Sequence, residues 1–84
     1  MSWRVFVRAA AEADLESLDT ADQSALSDEL FRWVDHGPPR LTPREVFGVR
    51  MFDDVAGEFR VTYVIDERDE NILVVRIRRI RPLP

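Results

Sequence analysis

Residues 57–66 read Gly57-Glu58-Phe59-Arg60-Val61-Thr62-Tyr63-Val64-Ile65-Asp66. Phe59, Val61, Tyr63 and Ile65 alternate with Arg60, Thr62 and Val64, and alternate side chains of an extended chain point to opposite faces. The stretch is the clearest strand in the chain, with one apolar face and one face led by Arg60. Turn chemistry bounds it on both sides, at Asp53 to Glu58 with Gly57 and at the charged loop Asp66 to Asn71.

Working outward, Leu73, Val75 and Ile77 alternate with Ile72, Val74, Arg76 and Arg78, and Phe47, Val49 and Met51 alternate with Gly48, Arg50 and Phe52. Each pattern predicts a strand. Trp3, Val5 and Val7 against Arg4, Phe6 and Arg8 predict one more at the start of the chain. Between the first strand and the rest, Ala11, Leu15 and Leu18 form a helical stripe over Ala10 to Leu18. Leu26, Leu30 and Trp33 form a second, preceded by a Thr20/Gln23 capping box and ended by Gly37-Pro38-Pro39. The connector Gly37 to Glu45, with three prolines, is expected to be ordered but without a strand. The fold class that follows is α+β: a four-stranded, mainly antiparallel sheet with a two-helix hairpin packed on one face, in the order β-α-α-β-β-β.

With 84 residues the chain makes a single domain, 1–84, and a chain of this size buries only about 60–65% of its unfolded surface. There is room for one core but not for a deep pocket. The composition, 45% apolar and 33% charged, is that of an ordinary soluble domain. No apolar run approaches the roughly 20 residues a membrane helix needs, so a cytoplasmic location is expected. The absence of cysteine excludes disulfides and thiolate metal sites, and the single histidine, His36, argues against a zinc site; no metal and no cofactor is expected.

The net charge of −4 conceals a segregation. From Ala9 to His36 eight carboxylates face the single Arg32, a net of −7 for the helical layer. The strand patterns instead put Arg4, Arg8, Arg50, Arg60, Arg76 and Arg78 out of phase with the apolar residues, on the sheet face away from the helices. All twelve basic residues are arginine, which codon usage alone can produce, so placement and not residue type carries the argument. A row of guanidiniums repels itself unless an anion, a nucleic acid or an acidic partner covers it. Apolar residues on that face, Phe6, Phe52, Val64, Ile72 and Val74 by the same phase, point to a covering partner.

In their order and spacing these segments resemble the RelE/ParE toxin superfamily of bacterial toxin–antitoxin systems. The residues that carry the resemblance are Trp3-Arg4-Val5-Phe6-Val7, Ala13-Asp14-Leu15-Glu16-Ser17-Leu18, Gly48-Val49-Arg50, Gly57 to Asp66, and Ile72-Leu73-Val74-Val75-Arg76-Ile77-Arg78-Arg79-Ile80-Arg81. Together they span nearly the whole chain. The resemblance implies a toxin, in one branch a RelE-like translation inhibitor that cleaves or binds messenger RNA at the ribosome. Residue by residue it assigns catalytic positions to Arg60, Arg79 and Arg81, and substrate binding to Arg50, Arg76 and Arg78.

Cleavage by a 2′-hydroxyl needs charge stabilisation at the phosphate and movement of a proton. The family's ribonucleases keep a tyrosine, histidine or lysine for that proton near the end of the last strand, where this sequence reads Arg81-Pro82-Leu83-Pro84. Arginine is a poor proton donor. Glu45 and Glu58 are the carboxylates nearest that chemistry, and Tyr63 falls in phase with the core. The resemblance therefore leaves three alternatives open: an mRNA endoribonuclease, a ParE-like DNA gyrase inhibitor without nuclease activity, and a non-catalytic decayed toxin acting as a protein-binding module. In each it implies an acidic antitoxin encoded nearby, or a homodimer using the same surface, and no membrane.

Overall fold

The computed structural model describes residues 2–39 and 43–80. Five strands and two helices follow in the order β1 (Arg4–Val7), α1 (Ala9–Glu16), α2 (Thr20–His36), β2 (Arg44–Val46), β3 (Val49–Ala56), β4 (Phe59–Asp66) and β5 (Asn71–Arg79). They build one sheet of order β1-β5-β4-β3-β2, antiparallel except for the parallel pair β1/β5. The α+β class and the two helices match the expectation, but the sheet has a fifth strand.

The extra strand lies where a connector was expected. Phe47 and Gly48 both take positive φ, 50° and 78°, the geometry of a two-residue hairpin turn, and this folds Arg44–Val46 back onto Val49–Met51. Phe47 is thus a turn residue rather than the start of a strand. The expected turn from Asp53 to Glu58 is likewise shorter: β3 runs on to Ala56, and only Gly57 (φ 63°) and Glu58 separate it from β4.

β4 forms the centre of the core. Its Phe59, Val61 and Tyr63 are buried against Leu26, Leu30 and Trp33 of α2 and Ala11 of α1, as the alternation demanded. The Tyr63 ring lies 4.7 Å from Trp33 and stacks at 5.8 Å on Phe52, and its hydroxyl donates to the Pro39 carbonyl oxygen at 2.5 Å, which satisfies the polar end of a fully buried side chain. Phe52 pairs with Tyr63 across the sheet and so belongs to the helix side, not to the open face where its phase had placed it.

β5 departs from the expected phase as well. Ile72 and Val74 are buried, and so is Ile77, an odd spacing that no regular strand gives. A β-bulge resolves it: Thr62 pairs with Arg76 but Tyr63 with Val74, leaving Val75 as the extra residue. Leu73, expected inside, is exposed.

The helix boundaries follow local chemistry. Asp19, not Thr20, is the N-cap of α2, its carboxylate accepting from Asp22 N–H at 2.9 Å, while Gln23 Nε2 donates to Leu18 O at 2.8 Å. At the other end Gly37 caps the helix at φ 81°, and Trp3 N–H donates to Val34 O at 2.8 Å, tying β1 to α2. A Cβ on Gly37 would sit 2.9 Å from Trp3 Nε1. Gly37→Ala combines that clash with a left-handed backbone, so it is expected to lower stability by about 1–2 kcal/mol in a urea titration. A midpoint equal to that of the wild type would show the helix end and Trp3 to be free to move apart.

Candidate functional site

The register of the sheet defines its open face. Arg60 stands directly opposite Arg78 on one side and Val55 on the other; Thr62 stands opposite Arg76 and Asp53; Met51 stands opposite Arg44. These side chains lie on the face away from the helices, because their neighbours in sequence, Phe59, Val61 and Phe52, pack in the core. A shallow cavity of about 400 Å³ opens there, walled by Arg44, Val46 and Met51 of the β2–β3 hairpin and by Arg60, Thr62, Arg76 and Arg78 of β4 and β5.

The arginines of this cavity are of two kinds. Arg44 Nε donates to Asp53 Oδ2 at 2.7 Å, and Thr62 Oγ1 donates to Asp53 Oδ1 at 2.6 Å. The hydrogen bond from Arg44 holds the Asp53 carboxyl below the usual carboxylate range against the opposing effect of burial, and raises the pKa of Arg44 in return. Arg76 is held in the same way at the far edge. Its Nε and a terminal nitrogen donate to the two oxygens of Asp14 from α1 at 2.8 and 3.0 Å, and Ile77 N–H donates to Asp14 Oδ2 at 2.9 Å. The hydrogen bond from Arg76 is the largest influence lowering the Asp14 pKa.

Between these two anchored pairs lie Arg60 and Arg78, for which the described residues show no hydrogen bond and no ion pair; at longer range Arg60 acts on Asp53 and Arg78 on Asp14. Both are exposed. Like charges directly opposite on a sheet are destabilising, so the pair holds a standing attraction for an anion.

The other expected positions separate. Arg50 lies two residues before Phe52 on β3 and therefore shares the helix-side parity, so it does not join the arginine face; the two apolar faces of 46–52 make alternation alone ambiguous there. Arg79 pairs with Phe59 and also turns to the helix side, where its guanidinium sits 4.8 Å over the Phe59 ring and pairs with Glu58 at 2.6 Å and with Asp22 at 3.6 Å. Its ion pairs tie the β3–β4 turn to α2, and it also contributes to the lining of the cavity. Arg81 lies outside the described residues. Arg4 is on the open face at its far end, beside Phe6, Leu73 and Val64, whereas Arg8 ends β1 as the N-cap of α1. Ile72 and Val74, expected on the open face, are core residues.

Sequence reasoning missed Arg44, Asp53 and Thr62. The signal for Arg44 was Phe47-Gly48 flanked by Val46 and Val49, a two-residue turn with glycine second. For Asp53 it was the polar partner Thr62, whose hydroxyl in mid-strand needed an acceptor. Of the carboxylates weighed for proton transfer, Glu58 is spent on Arg79 and Glu45 is exposed on the edge strand; Asp53, which was not weighed, binds two residues of the cavity wall, Arg44 and Thr62. Among the described residues no three His, Asp or Glu side chains gather as a metal site would require, and no helix is long and apolar enough to cross a membrane.

These features define a class of protein, a small α+β domain whose helices cover one face of a mixed sheet and leave a cationic face open. Solved structures make the class specific. A chain of the archaeal RelE–RelB complex from Pyrococcus horikoshii OT3 superposes with a TM-score of 0.79 at 19% identity, over 99% of this chain and 100% of that one. A chain of the RelBE2 toxin–antitoxin complex from Mycobacterium tuberculosis gives 0.78 at 18% identity, over 94% and 99%. Isolated RelE toxin from E. coli gives 0.72 at 11% identity, over 98% and 88%. No protein-family model and no curated protein sequence matches the chain. The chain shares its fold with these RelE and RelBE structures, in line with the resemblance of its strands and first helix.

Proposed function

We propose that this chain is the toxin of a toxin–antitoxin pair and that it stops translation by binding messenger RNA at the ribosome through the open sheet face. The observation that carries the reading is the opposed pair Arg60 and Arg78 at the floor of the cavity. Two guanidiniums side by side match the spaced oxygens of a phosphodiester backbone, and arginine binds them bidentately. Arg60 would act at the scissile or central phosphate, with Arg78 beside it and Arg76 and Arg44 shaping the rim. Such a protein works where ribosomes are, in the cytoplasm.

An antitoxin fits the same face. The apolar end around Phe6 (49% exposed) and Leu73 (38%) continues into the cationic end, so an acidic segment with a few apolar residues would cover both. The Mycobacterium structure is itself a toxin–antitoxin complex, and the Pyrococcus structure is a RelE–RelB complex.

A second reading, gyrase inhibition without cleavage, is favoured by one feature. The described carboxylates that reach the cavity arginines, Asp53 and Asp14, have lowered pKa values and are held by Arg44 and Arg76. Tyr63 is sealed in the core and His36 lies at the end of α2. No described group on the face is poised to move a proton near neutrality. Induced expression in a bacterium separates the two readings. Incorporation of labelled amino acid is expected to collapse while plasmid supercoiling persists; loss of supercoiling with translation intact would replace the ribosome by gyrase.

A further inference from the structure

Phe47 is the most exposed large apolar residue described, at 103%, and it occupies a position that favours other residues. At φ 50° it is in the left-handed region, where a Cβ crowds the backbone, and the first place of a two-residue hairpin turn ahead of a glycine is one that asparagine or aspartate fills best. Single exposed apolar side chains are ordinary. One held against both solvent and backbone preference is not, and strain of this kind collects at functional positions.

Its surroundings point to a ligand. Phe47 tips the hairpin whose inner residues, Val46 and Met51, wall the cavity over Arg60 and Arg78, and Arg44 lies three residues back, about 10 Å along the strand. Phe47 does not itself line the cavity; by the register it stands beyond Val49, which is about six residues or ~20 Å along β3 from Val55, the partner of Arg60. A guanidinium floor with an exposed ring a few nucleotides away along the same hairpin is an arrangement that holds single-stranded nucleic acid: charge tracks the backbone, and a ring offers its face to an unpaired base.

We infer that Phe47 is a base-stacking site, on which an unpaired nucleobase of the bound RNA rests while phosphates a few nucleotides along the strand occupy the arginine cavity. The inference rests on the RNA-binding reading above and adds to it a position that none of the arginines supplies.

The test is Phe47→Asn, which removes the ring but gives the turn the asparagine–glycine pair it favours. Binding of a labelled single-stranded RNA of about ten nucleotides, followed by fluorescence anisotropy at several salt concentrations, reads the effect. Phe47→Asn is expected to bind about tenfold more weakly, the size of one lost stack, with the wild-type salt slope because no phosphate contact is removed. The same variant is expected to melt above the wild type, and Phe47→Trp to keep the affinity. Wild-type affinity in Phe47→Asn, or a reduced salt slope, overturns the stacking site while leaving the cationic face in place. Failure of the wild type to bind the RNA at any salt overturns the RNA reading itself, and the stacking site with it.

Discussion

Arg60→Ala and Arg78→Ala are each expected to abolish growth arrest on induction and to weaken RNA binding at least tenfold, while the folded protein survives with its melting temperature unchanged or slightly raised. The expectation follows from what the two side chains lack. Neither makes a described hydrogen bond or ion pair, so truncation breaks no hydrogen bond and removes only a longer-range attraction, of Arg60 for Asp53 or of Arg78 for Asp14, each of which keeps its own arginine. Removing one of two opposed like charges relieves repulsion in the free protein. The loss appears only when an anion is bound, and each variant is expected to flatten the dependence of log K on log salt by about one phosphate contact. Arg44→Ala and Arg76→Ala behave differently, because each strands a carboxylate, Asp53 or Asp14, and lowers stability along with binding. A toxic, fully binding Arg60→Ala/Arg78→Ala double variant would remove the face from the mechanism altogether.

The contrast between these two kinds of arginine was only half legible in the sequence. Arg60 could be placed because β4 is a regular strand whose every second residue is apolar, and its two edges are turns of recognisable chemistry. Arg76 and Arg78 were placed on the correct face although the reasoning gave β5 a single phase; the bulge at Val75 separates them from Ile72 and Val74, and a period-two reading begun at Ile77 is right only for the C-terminal half. Alternation fails wherever one extra residue enters a strand, because the slip exchanges the two faces beyond it.

Arg50 was lost for a different reason. Both faces of 46–52 are rich in apolar residues, so periodicity cannot choose between them, and only the pairing of Phe52 with Tyr63 decides. Arg79 illustrates a third limit. Sequence order places it beside Arg78 and Arg81, but its fate depends on Asp22 in α2 and Glu58 in the β3–β4 turn, and such long-range ion pairs leave no local trace. The helices were easier: Leu26, Leu30 and Trp33 are three buried positions at helical spacing, and the one-residue error at the N-cap arose because Asp19 and Thr20 are both good capping residues.

Asp14→Ala is expected to be the most destabilising exchange of a charged residue among those considered, at about 2–3 kcal/mol, or a fall in melting temperature of roughly 10–20 °C for a domain of this size. Strand β1 pairs with β5 only as far as Val74; beyond it the edge of β5 would expose the Ile77 N–H, and Asp14 takes the place of the missing strand. The same carboxylate fixes Arg76, so its loss leaves a half-buried amide and a guanidinium without their acceptor. Because Asp14 is held below its unfolded pKa, its contribution is fully present above about pH 4 and is lost as the pH falls through the lower folded value. Asp53, lowered by Arg44 and Thr62, acts in the same direction. Asp14→Asn, which keeps the shape but not the charge, is therefore expected to lose less stability than the wild type between pH 5 and pH 3. Parallel urea midpoints for the two proteins across that range would mean that Asp14 supports the strand edge through hydrogen bonds alone and that its charge contributes nothing to the fold.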